Sequence, residues 1–197
     1  MVSYDGNRNR ITVDMIYYIR SYFILLFYLL ILVYAATPAF AHELKSSALK
    51  VAYIYNIAKF TRWPETTWSD PSDPFQLCFY GDDEVSDNLV QLENKPVNGH
   101  NIKLVEAQYK EDYSGCNIFY IETTDRRRYR YLMSLIDQHS VLVITDNSPF
   151  FATGGLINLV ETGQRLHFQV SKKQLADSQL KLSSKLLKLA ILVDDMR

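Results

Sequence analysis

The chain has 197 residues, with 21 Lys and Arg against 22 Asp and Glu for a net charge of −1. That balance excludes the basic face a nucleic-acid binder needs. His42, His100, His139 and His167 are scattered, and with only Cys78 and Cys116 they give no ligand spacing for tetrahedral zinc, so no metal or other cofactor is expected.

Residues 22–41 form the first element. Residues 22–36 are all apolar, Arg20 precedes them, and Ala39-Phe40-Ala41 supplies a small-x-small exit. This is the layout of a secretory signal cut after Ala41. Pro38 is expected to leave the segment before the cut extended. The uncharged run 21–41 is also long enough to cross a bilayer, so an uncleaved inner-membrane anchor is the alternative. The lead before Arg20 is long and carries Asp5 and Asp14, which makes Met15 an alternative initiator to Met1. Either reading places the rest of the chain outside the cytoplasm. Residues 42–197 then make one slightly acidic domain of a size that supports a single core, in a compartment that lets cysteines pair.

Residues 43–61 are predicted helical, with Leu44, Ala48, Val51, Tyr55 and Ala58 on the buried face and Lys45, Lys50, Asn56 and Lys59 mostly off it. Trp63-Pro64 ends that helix, and residues 65–74 form a loop carrying Trp68. A strand at 75–80 is followed by a short helix at 83–92, a turn at Asn98-Gly99, and strands at 102–107 and 116–121. A helix at 124–136 carries Tyr129, Leu132, Met133 and Ile136 inward, and a strand follows at 141–145. The order predicts helices covering a largely parallel sheet. Residues 156–160 and 165–170 flank Thr162-Gly163 as an antiparallel hairpin. Ser183 or Ser184 caps a last helix with Leu186, Leu187, Ala190 and Ile191 as its buried stripe. The predicted fold is therefore a layered α/β sandwich with a mostly parallel central sheet and a C-terminal hairpin.

Several segments, taken in order, resemble the YfiR-like periplasmic proteins. They are YIYNIAKFTRWP at 53–64, LCFYGDD at 77–83 and GCNIFYI at 115–121. With them go Phe150-x-x-x-Gly154-Gly155-x-Ile157-x-Leu159, Arg165-x-x-Phe168-x-Val170 and LKLSSKLLKLA at 180–190. The resemblance implies a Rossmann-like α/β domain without catalytic activity. It also implies an exported repressor that binds the periplasmic sensor domain of an inner-membrane diguanylate cyclase, lowering cyclic di-GMP and with it adhesion and biofilm. A homodimer is compatible with the same reading, and the alternative is a periplasmic small-molecule binding protein that uses the strand-exit cleft. A second cysteine pair carried by some relatives is absent.

The resemblance points to Cys78 and Cys116 as a pair, and neighbouring strands can bring them within the 4.4 to 6.8 Å or so between Cα atoms that a bridge requires. The alternative is two buried thiols. Asp82, Asp83 and Glu84 follow the first long strand and Asp146 follows the fourth. Strand exits of an open parallel sheet are where ligands bind, although a capped helix start and a turn aspartate explain the same residues. Gly154-Gly155 offers an anion cradle or a simple turn into the hairpin. Arg126-Arg127-Arg128 with Arg130 is either a solvated face or a salt-sensitive docking patch for an acidic partner. Trp68, Phe150 to Leu159, and Leu175 beside Lys172 and Lys173 are the candidates for partner contact. No nucleophile elbow, triad spacing or paired glutamates point to an enzyme.

Overall fold

The computed structural model describes residues 20–30, 37–81, 84–107, 113–146, 148–163 and 165–194. The chain divides into two compact units, Met1–Leu44 and Lys45–Arg197. In the first, residues 20–30 are helical and exposed. Residues 31–36 of the apolar run, and both candidate start methionines, lie outside the described residues. Among the described residues no helix is long and apolar enough to cross a membrane. Helix α1, Thr37–Lys59, begins before the expected cut. Pro38, expected to hold an extended stretch, sits instead in the first helical turn, where a missing N–H costs nothing.

In the second unit α1 buries Ser47, Val51, Ile54, Ile57 and Ala58. The buried face is therefore rotated from the predicted one: Ala48 is exposed and Tyr55 only half-buried. Tyr55 keeps its hydroxyl at the rim, donating to Pro96 O at 3.1 Å, while the branched chains Val51, Ile54 and Ile57 go inward. Past α1, strand β1 (Thr61–Arg62) pairs antiparallel with β9 (Lys181–Leu182), joining the helix exit to the C-terminal segment.

The main sheet has eight strands. Strands β2 (Phe75–Tyr80), β4 (His100–Glu106), β5 (Ile118–Ile121), β6 (Leu142–Asp146) and β7 (Ile157–Thr162) are parallel and lie in the order β4-β2-β5-β6-β7. This is a doubly wound arrangement, with the chain reversing direction across the sheet between β2 and β5. β3 (Pro96–Val97) adds antiparallel to β4 through the two-residue Asn98-Gly99 turn, whose φ values of 51° and 92° suit asparagine and glycine. β8 (Arg165–Ser171) adds antiparallel to β7, and β10 (Ile191–Val193) parallel to β8.

Alternation along the strands makes two cores. Phe75, Leu77, Ile118, Tyr120 and Ile144 face α1 and α2 (Glu84–Asn88) with its 3-10 continuation Leu89–Leu92. Cys78, Phe119, Ile121 and Val143 face Tyr129, Leu132 and Met133 of α3 (Arg126–Ser134). β5 is buried on both faces, which is why IFYI reads as continuous rather than alternating. The C-terminal third has only short helices, α4 (Lys172–Asp177) and α5 (Ser184–Leu187). Ser183 caps α5 by accepting from Leu186 N at 3.2 Å. The predicted longer helix does not form. Ile191, expected in its buried stripe, is 50% exposed and opens β10 opposite Gln169. The free edge of β8 captures the aliphatic run Ile191-Leu192-Val193 as a strand.

Candidate functional site

The carboxyl ends of β6 and β7 meet α1 through a mostly buried ion pair. Lys50 Nζ lies 2.8 Å from Asp146 Oδ2 and 3.7 Å from Glu161 Oε2, with side-chain exposures of 14% for Lys50 and 6% for Asp146. Tyr120 donates to Asp146 Oδ2 at 3.3 Å, and Ser46 donates to Glu161 Oε2 at 2.7 Å. Asp146, read from sequence as a ligand-binding candidate, is thus engaged by a lysine that the helical wheel had placed mostly off the buried side. Asp82, its expected companion, lies outside the described residues, as does Asp83.

Gly154 and Gly155 serve the turn. Their N–H groups donate to Phe151 O at 3.3 and 3.0 Å, closing the 3-10 turn Phe151–Thr153, so neither amide is left to cradle an anion. Gly154 has φ +139°, and a Cβ there would meet Met133 Cε at 2.7 Å and Gln138 Oε1 at 3.0 Å. It packs on the α3 side of the sheet, whereas Asp146 faces α1, so the two do not share a patch. Gly154→Ala is expected to cost about 1 to 3 kcal/mol through backbone strain and the Met133 contact, read as a lower urea midpoint with an unchanged slope. Burial pushes the nearby Tyr129 phenol above its ordinary range.

Cys78 and Cys116 are joined in a disulfide with Cα atoms 5.8 Å apart. Cys78 is fully buried and Cys116 is 5% exposed, inside the core cluster with Ala107, Tyr113 and Phe119. Of the two alternatives the sequence left, the structure contains the bridge.

The aromatic and aliphatic candidates separate. Leu159 is fully buried opposite Phe168, and Phe150 is 8% exposed against Tyr129 at 5.5 Å. Both are core residues, which removes them from any contact surface: Leu159 lies in the α1-side cluster beside Phe168, and Phe150 lies against α3. Trp68 is half-buried, stacked on His100 at 4.2 Å and packed near Trp63 and Phe75. Its polar loop had suggested fewer covering neighbours. Leu175 is half-buried, packed against the α1-side core.

A groove of about 540 Å³ that the sequence did not disclose opens between α1, β8 and α5. Tyr53, Ile57, Leu166, Phe168 and Leu186 line it, with Asn56, His167 and Lys185 as polar rim. Phe60 and Leu189 also line it and stay 39% and 76% exposed. Tyr53 donates to Leu166 O at 3.3 Å and meets Phe168 edge-on at 6.1 Å. Phe60 directly follows α1 and Leu189 stands two residues past α5, and apolar residues just past a helix end were the available signal.

The family model described as YfiR/HmsC-like matches residues 47–191. That span takes in the buried part of α1, both core clusters, the disulfide and the groove. A match over that much of the chain means that this protein belongs to the YfiR/HmsC-like family.

Proposed function

We propose that this protein is an exported, non-catalytic regulator that binds the periplasmic sensor domain of an inner-membrane diguanylate cyclase and represses cyclic di-GMP output. Residues 1–41 act as the export signal and residues 42–197 as the single regulatory domain. Family membership supports the role, and the groove beside Phe60 and Leu189 is the observation that carries the binding mode. An apolar channel with exposed large side chains at its lip and a rim of Lys185, His167 and Asn56 suits an amphipathic segment that brings its own apolar anchors. Trp68 and Leu175, both half-buried, are secondary contacts in this reading.

The test is direct binding of purified protein to the candidate sensor domain, with cellular cyclic di-GMP as the second readout. Leu189→Asp with Phe60→Glu is expected to weaken binding on the order of thirtyfold, the loss of a hot-spot contact, and to raise cyclic di-GMP. Both side chains are exposed enough for the unfolding midpoint to stay near that of the parent. Undiminished binding would exclude the groove as the contact surface. A parent protein that binds no sensor domain would exclude the regulator itself.

A further inference from the structure

Helix α3 carries a surface that neither core nor groove uses. Arg126, Arg127, Arg128 and Arg130 are all exposed, and none has an ion-pair partner among the described residues. Asp125, the adjacent acid, is committed to capping. Its carboxylate accepts from Arg127 N at 2.7 Å and from Arg128 N at 3.3 Å, and these bonds hold it below the usual carboxylate range. The Arg126 guanidinium lies 5.7 Å over the Phe150 ring and that of Arg128 5.8 Å over Tyr80, which fixes two of the charges laterally. Arg127, Arg130, Tyr131 and Ser134 make one exposed stripe, with Tyr131 half out in solvent. Four cations in the first half of a helix oppose its macrodipole, a local cost that the Asp125 cap and the two ring contacts offset only in part. In a chain of net charge −1, this concentration is a local inversion of sign.

We infer that the exposed face of α3 is a docking surface for an anionic phospholipid bilayer. A protein partner would call for a desolvated apolar centre with several anchors, and this face offers only Tyr131. A bilayer surface asks for what is present: clustered guanidinium groups to meet headgroup phosphates, long stems that bury their methylenes, and an amphipathic ring at headgroup level. α3 packs on the second core cluster, while Ile57, Phe168 and Leu186 of the groove belong to the first. The two surfaces therefore lie on opposite faces of the sheet, and a molecule resting on lipid keeps its groove open.

The experiment is co-sedimentation of the full chain and of its R127E/R130E variant with vesicles of phosphatidylglycerol in phosphatidylcholine, and of phosphatidylcholine alone, at low and high salt. Any contribution from residues 22–41 is common to both proteins and cancels in the comparison. The variant is expected to bind the anionic vesicles on the order of thirtyfold more weakly at low salt. The difference should vanish at high salt and on phosphatidylcholine. Glutamate near a helix start is favourable to the dipole, so the variant's unfolding midpoint should match or exceed the parent's, which separates lost binding from lost folding. Equal binding of both proteins to anionic vesicles overturns the inference. So does a variant that keeps vesicle binding but loses capture of an acidic protein, which would make α3 a protein contact.

Discussion

Lys50→Met is expected to destabilise the second unit by about 3 kcal/mol, because it removes the counter-ion of a mostly buried carboxylate. Asp146 is 6% exposed and loses the cation 2.8 Å away, while the Tyr120 hydroxyl stays at 3.3 Å. The half of the site that faces water softens the loss, since Glu161 is 25% exposed and can rehydrate. Urea unfolding measures the change. The companion is Lys50→Met with Asp146→Asn, which removes the charge left behind and should recover one to two kcal/mol of the loss. A single variant within about half a kcal/mol of the parent would mean that water already compensates the pair. The ion pair also positions the groove, because Lys50 lies one turn before Tyr53 and two before Ile57, which form its wall. Loosening α1 at its attachment to β6 and β7 should therefore weaken partner binding at temperatures where the domain is still folded.

Short apolar runs between turn residues proved readable. FQLCFY between Pro74 and Gly81 is β2 to the residue, and the strands expected at 102–107, 116–121 and 141–145 match β4, β5 and β6 within two residues or so at each end. Parallel order followed from alternation of helices with strands. What failed were choices between competing faces and between competing partners. Ala48 and Tyr55 fit a helical stripe as well as Ser47, Ile54 and Ile57 do, and only the sheet beneath decides which stripe is covered. Ile191 fits a helix until the free edge of β8 offers it hydrogen bonds, and that edge is invisible locally. Leu159, expected in a hairpin strand yet offered as a contact residue, is fully buried, with Phe168 of the partner strand beside it. Asp146 was identified as a strand-exit acid, but its lysine comes from a helix near the other end of the domain. The groove is the extreme case. Tyr53 and Leu166 stand 113 positions apart, so no window of sequence contains both of its walls.

Removing the disulfide, by Cys78→Ala with Cys116→Ala, is expected to cost roughly 4 kcal/mol on chain-entropy grounds for a loop of 38 residues. Alanine is the right replacement because Cys78 is fully buried and Cys116 nearly so, and a serine hydroxyl would add a desolvation cost of its own. Reduction of the parent should cost somewhat less, since two buried thiols still fill the space. The bridge belongs to the α3-side core, with Phe119, Tyr113 and Ala107 around it, whereas the groove is built on the α1-side core. Redox state should therefore act on the amount of folded protein and leave the intrinsic affinity of the groove unchanged. The measurement has two parts: urea midpoints of oxidised, reduced and alanine forms, then sensor-domain affinity of each form where all remain folded. A large fall in midpoint with equal affinities is the expected pattern. A reduced protein that is fully folded yet binds differently would require the bridge to transmit shape across β2 and β5, and a midpoint that does not move would show that the loop from Cys78 to Cys116 is already held in the unfolded chain.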